Sequence, residues 1–211
     1  MATKRPAYKS AVSSSPSTTI VTPTTYTHAP SRFTLFWLAI SLPLVIWDSG
    51  YVMFRPRTME GGDLHWPLYV PYALYAKVDY VYGWKAYDAH SGFTAGQGTL
   101  NVLETLLYFY YVWVYYQNAV TVRGTKKMVG RPAAIAVLVG FSAAVMTLSK
   151  TILYWLCEYF SGFDNIGHNA PLELLFLWII PNGAWLVGPT IMVYELGSEL
   201  ADRLTGSTKQ D

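Results

Sequence analysis

Residues 33–54 read FTLFWLAISLPLVIWDSGYVMF, an apolar run with one charged side chain, Asp48. A helix needs about 20 such residues to cross the roughly 30 Å hydrocarbon core of a bilayer. Arg55 and Arg57 follow at once, as is typical of the aqueous end of a membrane span. The stretch therefore predicts a membrane-spanning helix, and Asp48 within it needs an explanation.

The rest of the chain also has the composition of a membrane protein. Of its 211 residues 52% are hydrophobic and 13% are charged, whereas soluble domains carry about 25% charged residues. The net charge of +2 is too small to indicate nucleic-acid binding. The single cysteine, Cys157, excludes an internal disulfide and a multi-cysteine metal site. The histidines lack ligand spacing, so we expect neither a metal nor a cofactor.

Three further runs, 99–119, 132–156 and 171–194, are long enough to span a bilayer. Together with 33–54 they predict an all-α integral membrane protein, a four-transmembrane-helix bundle with an intramembrane cavity. The membrane domain would cover residues 33–200. Residues 1–32 are rich in Ser, Thr and Pro, which predicts a disordered tail, and 201–211 would form a second tail.

The basic residues predict the orientation of the bundle. The first tail and the connection between the second and third spans carry eight basic residues and no acids. They are Lys4, Arg5, Lys9, Arg32, Arg123, Lys126, Lys127 and Arg131. Basic segments stay in the cytoplasm, so both tails are expected to be cytoplasmic. The long connection 55–98 is rich in Trp and Tyr, which suits a lid at the level of the lipid headgroups.

Polar side chains inside the predicted spans are the candidate site. Asp48, Glu104 and Lys150 each lie about 8–9 Å inside the same membrane boundary, at about 1.5 Å per residue. Asn182 lies deeper, and Trp185 shares its helical face. Ionisable residues at such depths usually face the bundle interior and often mark function. A structural interpretation competes: Asp48 or Glu104 could pair with Lys150, and Asn182 could bond another helix.

The residue types favour proton-driven chemistry on an apolar molecule. A carboxylic acid removed from water favours its neutral form, which can deliver a proton to an olefin or an epoxide. Tyr108 and Tyr111 share a helical face with Glu104, and aromatic faces such as these and Trp185 stabilise cations. We therefore expect Asp48, Glu104 and Asn182 to be catalytic. The same pattern makes Trp185, Tyr108, Tyr111 and Lys150 candidates for binding the substrate or its cation.

At these residues the sequence resembles the emopamil-binding-protein family, whose four-helix module is called the EXPERA domain. The matching pieces, in order along residues 33–200, are Asp48 with Gly50, Tyr75-Ala76-Lys77 with Asp79, Glu104-Thr105, Leu153-Tyr154 with Glu158, Gly162-Phe163, Gly167-His168 before Pro171, and Asn182 with Trp185 and Pro189. The family includes the sterol Δ8–Δ7 isomerase and the sigma-2 receptor. Similar small membrane proteins act as terpene cyclases in fungi.

The resemblance implies an endoplasmic-reticulum membrane protein and a terpenoid or sterol substrate, and it allows a homodimer. In the sterol isomerases the functional positions match Asp48, Glu104, Asn182 and Trp185. Leu44 stands where those isomerases carry a histidine, which favours general carbocation chemistry over Δ8–Δ7 isomerisation itself. Three functions stay open: a terpenoid cyclase or isomerase, a sterol Δ8–Δ7 isomerase proper, and a non-catalytic sterol or lipid receptor.

Overall fold

A computed structural model describes residues 25–122 and 124–206, and these are predominantly helical. The long helices are α1 (Arg32–Met53), α4 (Gly92–Asn118), α5 (Arg131–Phe160) and α7 (Ile180–Leu204). The short ones are α2 (Pro71–Val78), α3 (Trp84–Asp88) and α6 (Pro171–Leu174), and a π-helix (Leu175–Ile179) joins α6 to α7. The strands are β1 (Thr27–His28), β2 (Ala119–Val122) and β3 (Thr125–Val129).

Among the described residues, three helices are long and apolar enough to cross a membrane. They are Arg32–Met53, Arg131–Phe160 and the continuous helix Pro171–Leu204. The chain is therefore a largely α-helical, membrane-embedded protein. Helix α4 has 27 residues but is not among these three, because polar side chains and many tyrosines lower its mean hydropathy. That α4 is a fourth span stays a prediction.

The expected span boundaries need two corrections. Helix α4 begins at Gly92 rather than near residue 99, although glycines are frequent in this first part. Within this part α4 packs closely against α1, because a Cβ atom on Gly98 would lie 2.7 Å from the Cε atom of Met53. The last helix continues to Leu204 rather than ending near 194, so part of the predicted tail 201–211 is helical.

The long helices pack in the order α1, α4, α5, α7, and α1 and α7 approach each other less closely than these neighbours do. Small residues of α5 let α4 and α7 come close. Ala136, Ala143 and Ala144 are fully buried, and Gly140 lies against the ring of Tyr111.

A small antiparallel sheet in the order β1–β3–β2 was not expected from the sequence. His28 pairs with Met128, and Met128 pairs with Ala119. The buried His28 ring also bonds the Tyr111 hydroxyl at 2.9 Å. Residues 25–31 are thus part of the fold, which corrects the end of the predicted disordered tail. Residues 1–24 of that tail and 207–211 of the second lie outside the described residues.

The connection between α1 and α4 folds over one end of α1, where its aromatic side chains form a cluster. Tyr51 of α1 and Tyr72 of α2 stack with ring centroids 3.8 Å apart, and Tyr82 packs against both. Other aromatics of this connection stay exposed, Trp66 at 78% among them. The cluster holds α2 over the cavity described next.

Candidate active site

A cavity of about 460 Å³ lies between α1, α4, α5 and the α6–α7 helix, with α2 at one end. Its wall is mainly aliphatic and aromatic, and most of its polar atoms come from six side chains. These are Asp48, Gln97, Asn101, Lys150, Tyr75 and Asn182. Ligand sites of this kind combine an apolar surface with a few polar groups that orient the ligand.

Asp48 of α1 lies in the cavity wall, and both of its carboxyl oxygens accept hydrogen bonds. The Tyr72 hydroxyl donates to Oδ1 at 2.7 Å, and the Asn101 Nδ2 amide donates to Oδ2 at 3.1 Å. Tyr72 belongs to α2 and Asn101 to α4, so three elements meet at one carboxyl group. The side chain is therefore held in one orientation at the cavity surface.

Asn101 connects Asp48 to a buried ion pair. Lys150 of α5 donates to the Oδ1 atom of Asn101 and to Glu104 Oε2, the latter at 2.8 Å. An ammonium group can only donate, so the amide of Asn101 must turn its oxygen to Lys150 and its NH₂ to Asp48. The Thr147 hydroxyl adds a further hydrogen bond to Glu104 at 2.9 Å. Formally, Asp48 and Glu104 bring two negative charges to this network and Lys150 brings one positive charge.

Glu104 lies behind Lys150 and does not line the main cavity. It borders an adjoining void of about 20 Å³ together with Tyr108 and Trp185, and its Oε1 atom has no hydrogen-bond partner among the described residues. The Tyr108 hydroxyl lies 3.3 Å from Thr147 Oγ1, so it is linked to Glu104 through this threonine.

The structure thus divides the seven predicted site residues into three groups. Those that line the cavity are Asp48, Lys150, Asn182 and Trp185. Glu104 and Tyr108 border the adjoining void. Tyr111 lines neither, because it lies two helical turns beyond Glu104 and contacts His28 beneath the sheet.

Asn182 and Trp185 line the cavity from the first two turns of α7, directly after the π-helix, a feature frequent at functional sites. The Asn182 amide donates to the Trp178 carbonyl at 2.9 Å and to the Tyr75 hydroxyl at 3.2 Å. Through Tyr75 the amide contacts α2, in the connection between α1 and α4, rather than Asp48. The indole of Trp185 meets Trp37 of α1 edge to face, with centroids 5.5 Å apart.

Sequence reasoning missed two amides and gave one carboxyl group no role. Gln97 and Asn101 precede Glu104 by seven and three residues, so helical spacing could have found them on its face. Asp79 is fully buried in the connection between α1 and α4, where Tyr154 of the cavity wall and Trp178 both donate to it. Burial raises the pKa of Asp79 to about 7, although the Trp178 and backbone donors oppose the shift.

Comparison with known proteins leaves the site to be interpreted from its geometry. No protein-family model matches the chain, and a search of curated proteins gives no match. Among the described residues, no group of three or more His, Cys, Asp or Glu side chains is placed to hold a metal ion.

Proposed function

We propose that this protein is a membrane-embedded enzyme that protonates a hydrophobic terpenoid or sterol and cyclises or isomerises it through a carbocation. The observation that carries the proposal is the Asp48 carboxyl group, held by Tyr72 and Asn101 in the wall of a largely apolar, aromatic cavity. An apolar substrate fits such walls, and the carboxyl group is the polar centre it meets.

Asp48 would act as the proton carrier in this reaction. Its acid form gives a proton to one carbon of an alkene, or to an epoxide oxygen, and leaves a positive charge on carbon. The rings of Trp47, Tyr75, Tyr82 and Trp185 in the cavity wall offer π-faces that stabilise such a cation, by up to about 2 kcal/mol each when desolvated. Loss of a different proton to the carboxylate forms the new double bond and restores the acid.

The finer architecture belongs to the same proposal. Helix α4 would be the fourth span of an EXPERA-like bundle, the cavity would lie at membrane depth, and the protein would reside in the endoplasmic reticulum with both termini cytoplasmic. Support comes from the packing order of the four long helices and from the meeting of Asp48, Glu104 and Lys150 at one place. The sequence resemblance predicts that Asp48 and Glu104 lie close together.

The decisive experiment is Asp48→Asn, which keeps the size of the side chain and removes the proton carrier. Microsomes containing the full chain would be incubated with an epoxidised prenyl substrate and with a Δ8-sterol, and the products would be separated from the substrates by chromatography, because cyclisation and isomerisation do not change the mass. We expect turnover to fall by about 10²–10⁴, the usual scale for general acid–base catalysis. Asp88→Asn, at an exposed position of α3, is the matched control. Unchanged turnover in Asp48→Asn would contradict the proposal.

A non-catalytic receptor for cationic lipids is the second candidate, and the charge of the site favours it. Asp48 and Glu104 together outnumber the single ammonium of Lys150, and both Asp48 oxygens accept hydrogen bonds, as suits a carboxylate. A receptor of this kind should lose affinity for an amphiphilic amine in Asp48→Asn and convert neither substrate. An enzyme should bind its neutral substrate almost normally in the same variant and lose turnover.

A further inference from the structure

Gln97 is a polar side chain of the cavity wall to which the proposed chemistry gives no role. It lies on the face of α4 that also carries Asn101, Glu104, Tyr108 and Tyr111. Each of those four makes a hydrogen bond to another element, whereas the Gln97 Nε2 atom is buried and has no partner among the described residues. Buried polar groups are nearly always paired, so an unpaired amide in a cavity points to a ligand.

The neighbouring hydroxyl groups of the wall are already engaged elsewhere. Thr94 donates to the carbonyl of Val81 at 2.8 Å, and Thr151 donates to the carbonyl of Thr147 at 2.8 Å. Neither hydroxyl oxygen accepts a hydrogen bond from Gln97 Nε2, so the amide of this cavity-lining side chain remains available to a ligand.

The position of Gln97 sets where a ligand group would lie. Gln97 is one helical turn from Asn101, about 6 Å along the axis of α4, and Asn101 holds Asp48. A ligand atom bound at Gln97 is therefore displaced by about one turn from the carbon that reacts at Asp48. A neutral amide offers one NH₂ donor and one carbonyl acceptor, which match an uncharged hydroxyl or carbonyl group.

We propose that Gln97 binds an uncharged oxygen of the substrate, so that the cavity selects an oxygenated terpenoid over the corresponding hydrocarbon. The terpenoid nature of the ligand rests on the proposed function, and the new element is a contact to an oxygen remote from the reacting carbon. Gln97 is then a specificity residue that distinguishes substrates by a group remote from the reacting carbon. Binding energy at such a remote group positions the reacting centre.

The test compares farnesol with farnesene, which has the same carbon skeleton but a further double bond in place of the hydroxyl group. Equilibrium binding of each radiolabelled probe to the full chain in nanodiscs would be measured, with empty nanodiscs correcting for partition into lipid. We expect the chain to prefer farnesol. In Gln97→Leu that preference should fall about tenfold, equal to about 1.4 kcal/mol, while farnesene affinity stays within about twofold.

Two further variants separate recognition from folding. Gln97→Met keeps the length of the side chain and should lose the preference in the same way. Gln117→Leu changes an exposed glutamine of the same helix and should leave the preference unchanged. Because an apolar side chain suits an apolar wall, thermal stability of the Gln97 variants should be equal or higher, which a purely structural role would not produce.

The outcomes also separate this inference from the proposed function. An unchanged preference in Gln97→Leu and Gln97→Met, or equal binding of both probes by the wild type, would overturn the role of Gln97 alone. Absence of binding by either probe would overturn the inference and the terpenoid part of the proposed function, whereas its sterol part is tested separately by conversion of the Δ8-sterol. A loss of preference in the Gln97 variants supports the inference even if Asp48→Asn shows that no proton transfer occurs.

Discussion

The buried ion pair between Lys150 and Glu104 allows a prediction with a magnitude taken from its geometry. The two side chains are 7% and 4% exposed, and their charged atoms lie 2.8 Å apart. Removing one partner of a buried pair leaves an uncompensated charge and costs about 3–5 kcal/mol, whereas replacing both by apolar residues is often neutral. We therefore expect each single substitution to destabilise the protein and the double substitution to restore most of the loss.

The hydrogen bonds that remain to each partner determine which of the two single substitutions costs more stability. In Glu104→Gln the ammonium of Lys150 keeps the Asn101 oxygen, so the free energy of unfolding should fall by about 3 kcal/mol. In Lys150→Met the carboxylate keeps only the Thr147 hydroxyl among its present donors, so the loss should approach about 5 kcal/mol. For a chain of this size about 2–4 °C of melting temperature corresponds to 1 kcal/mol, which predicts losses of roughly 6–20 °C.

The assay is thermal unfolding of the wild type, both single variants and Glu104→Gln/Lys150→Met in the same detergent, analysed as a double-mutant cycle. Glu173→Gln, at an exposed position near the start of the last helix, is the control. Single losses below about 1 kcal/mol, or losses that simply add in the double variant, would refute the reasoning.

The same double variant decides whether Glu104 has a chemical role. If Glu104 only compensates Lys150, the stable double variant keeps its turnover, and Asp48 remains the proton carrier. If Glu104 delivers the proton, as the sequence also allowed, the double variant is folded but slower by about 10² or more. The position of Glu104 behind Lys150, outside the main cavity, favours the first result.

Two further predictions concern packing and pH. A Cβ atom on Gly188 would lie 2.4 Å from the Trp37 ring, so Gly188→Ala should cost about 1–3 kcal/mol in thermal unfolding. Gly183→Ala, on the same helix with no atom within 4 Å, should be neutral or stabilising, and equal effects would contradict the packing. Because the folded-state pKa of Asp79 is raised to about 7, the folded state keeps a proton that the unfolded state loses near pH 4. Stability should therefore fall as pH rises from 4 to 7, by up to about 1.4 kcal/mol per unit, and stay level above; Asp79→Asn should abolish this slope in pH-dependent unfolding.

Depth arithmetic predicted part of the site because a helix has a fixed rise per residue. The sequence predicts similar depths for Asp48, Glu104 and Lys150, and in the structure Asn101 joins Asp48 to Lys150, which in turn bonds Glu104. The same fixed rise explains why the prediction that Tyr111 lies at the cavity is wrong. It shares the face of Glu104, but seven residues amount to about 10 Å along the axis, which brings it to the sheet.

Other parts of the fold depend on contacts between distant segments, which periodicity does not reveal. The pairing of His28 with Met128 joins residues a hundred positions apart, and although Thr25, Tyr26 and Thr27 have high β propensity, the sequence does not show which segment would pair with them. The close approach of α1 and α4 likewise depends on distant residues, because Val52 and Met53 of α1 leave no room for a Cβ atom on Gly98. Asn101 is uncharged, so the charge pattern of the second span did not indicate its role.

The polar face of α4 explains why its hydropathy is low and why it still suits a membrane. Its inward face carries Gln97, Asn101 and Glu104, which meet the cavity or the ion pair rather than lipid. The exposed face is mostly apolar or aromatic: Leu100, Val102, Leu103, Leu106, Phe109, Tyr110, Trp113 and Tyr116. An average over the whole helix mixes these two faces, although a bilayer around α4 would contact only the second. The polar side chains of the candidate site thus lower the average of α4 together with its tyrosines, and a helix with this division is expected wherever a membrane protein places polar groups around an enclosed ligand.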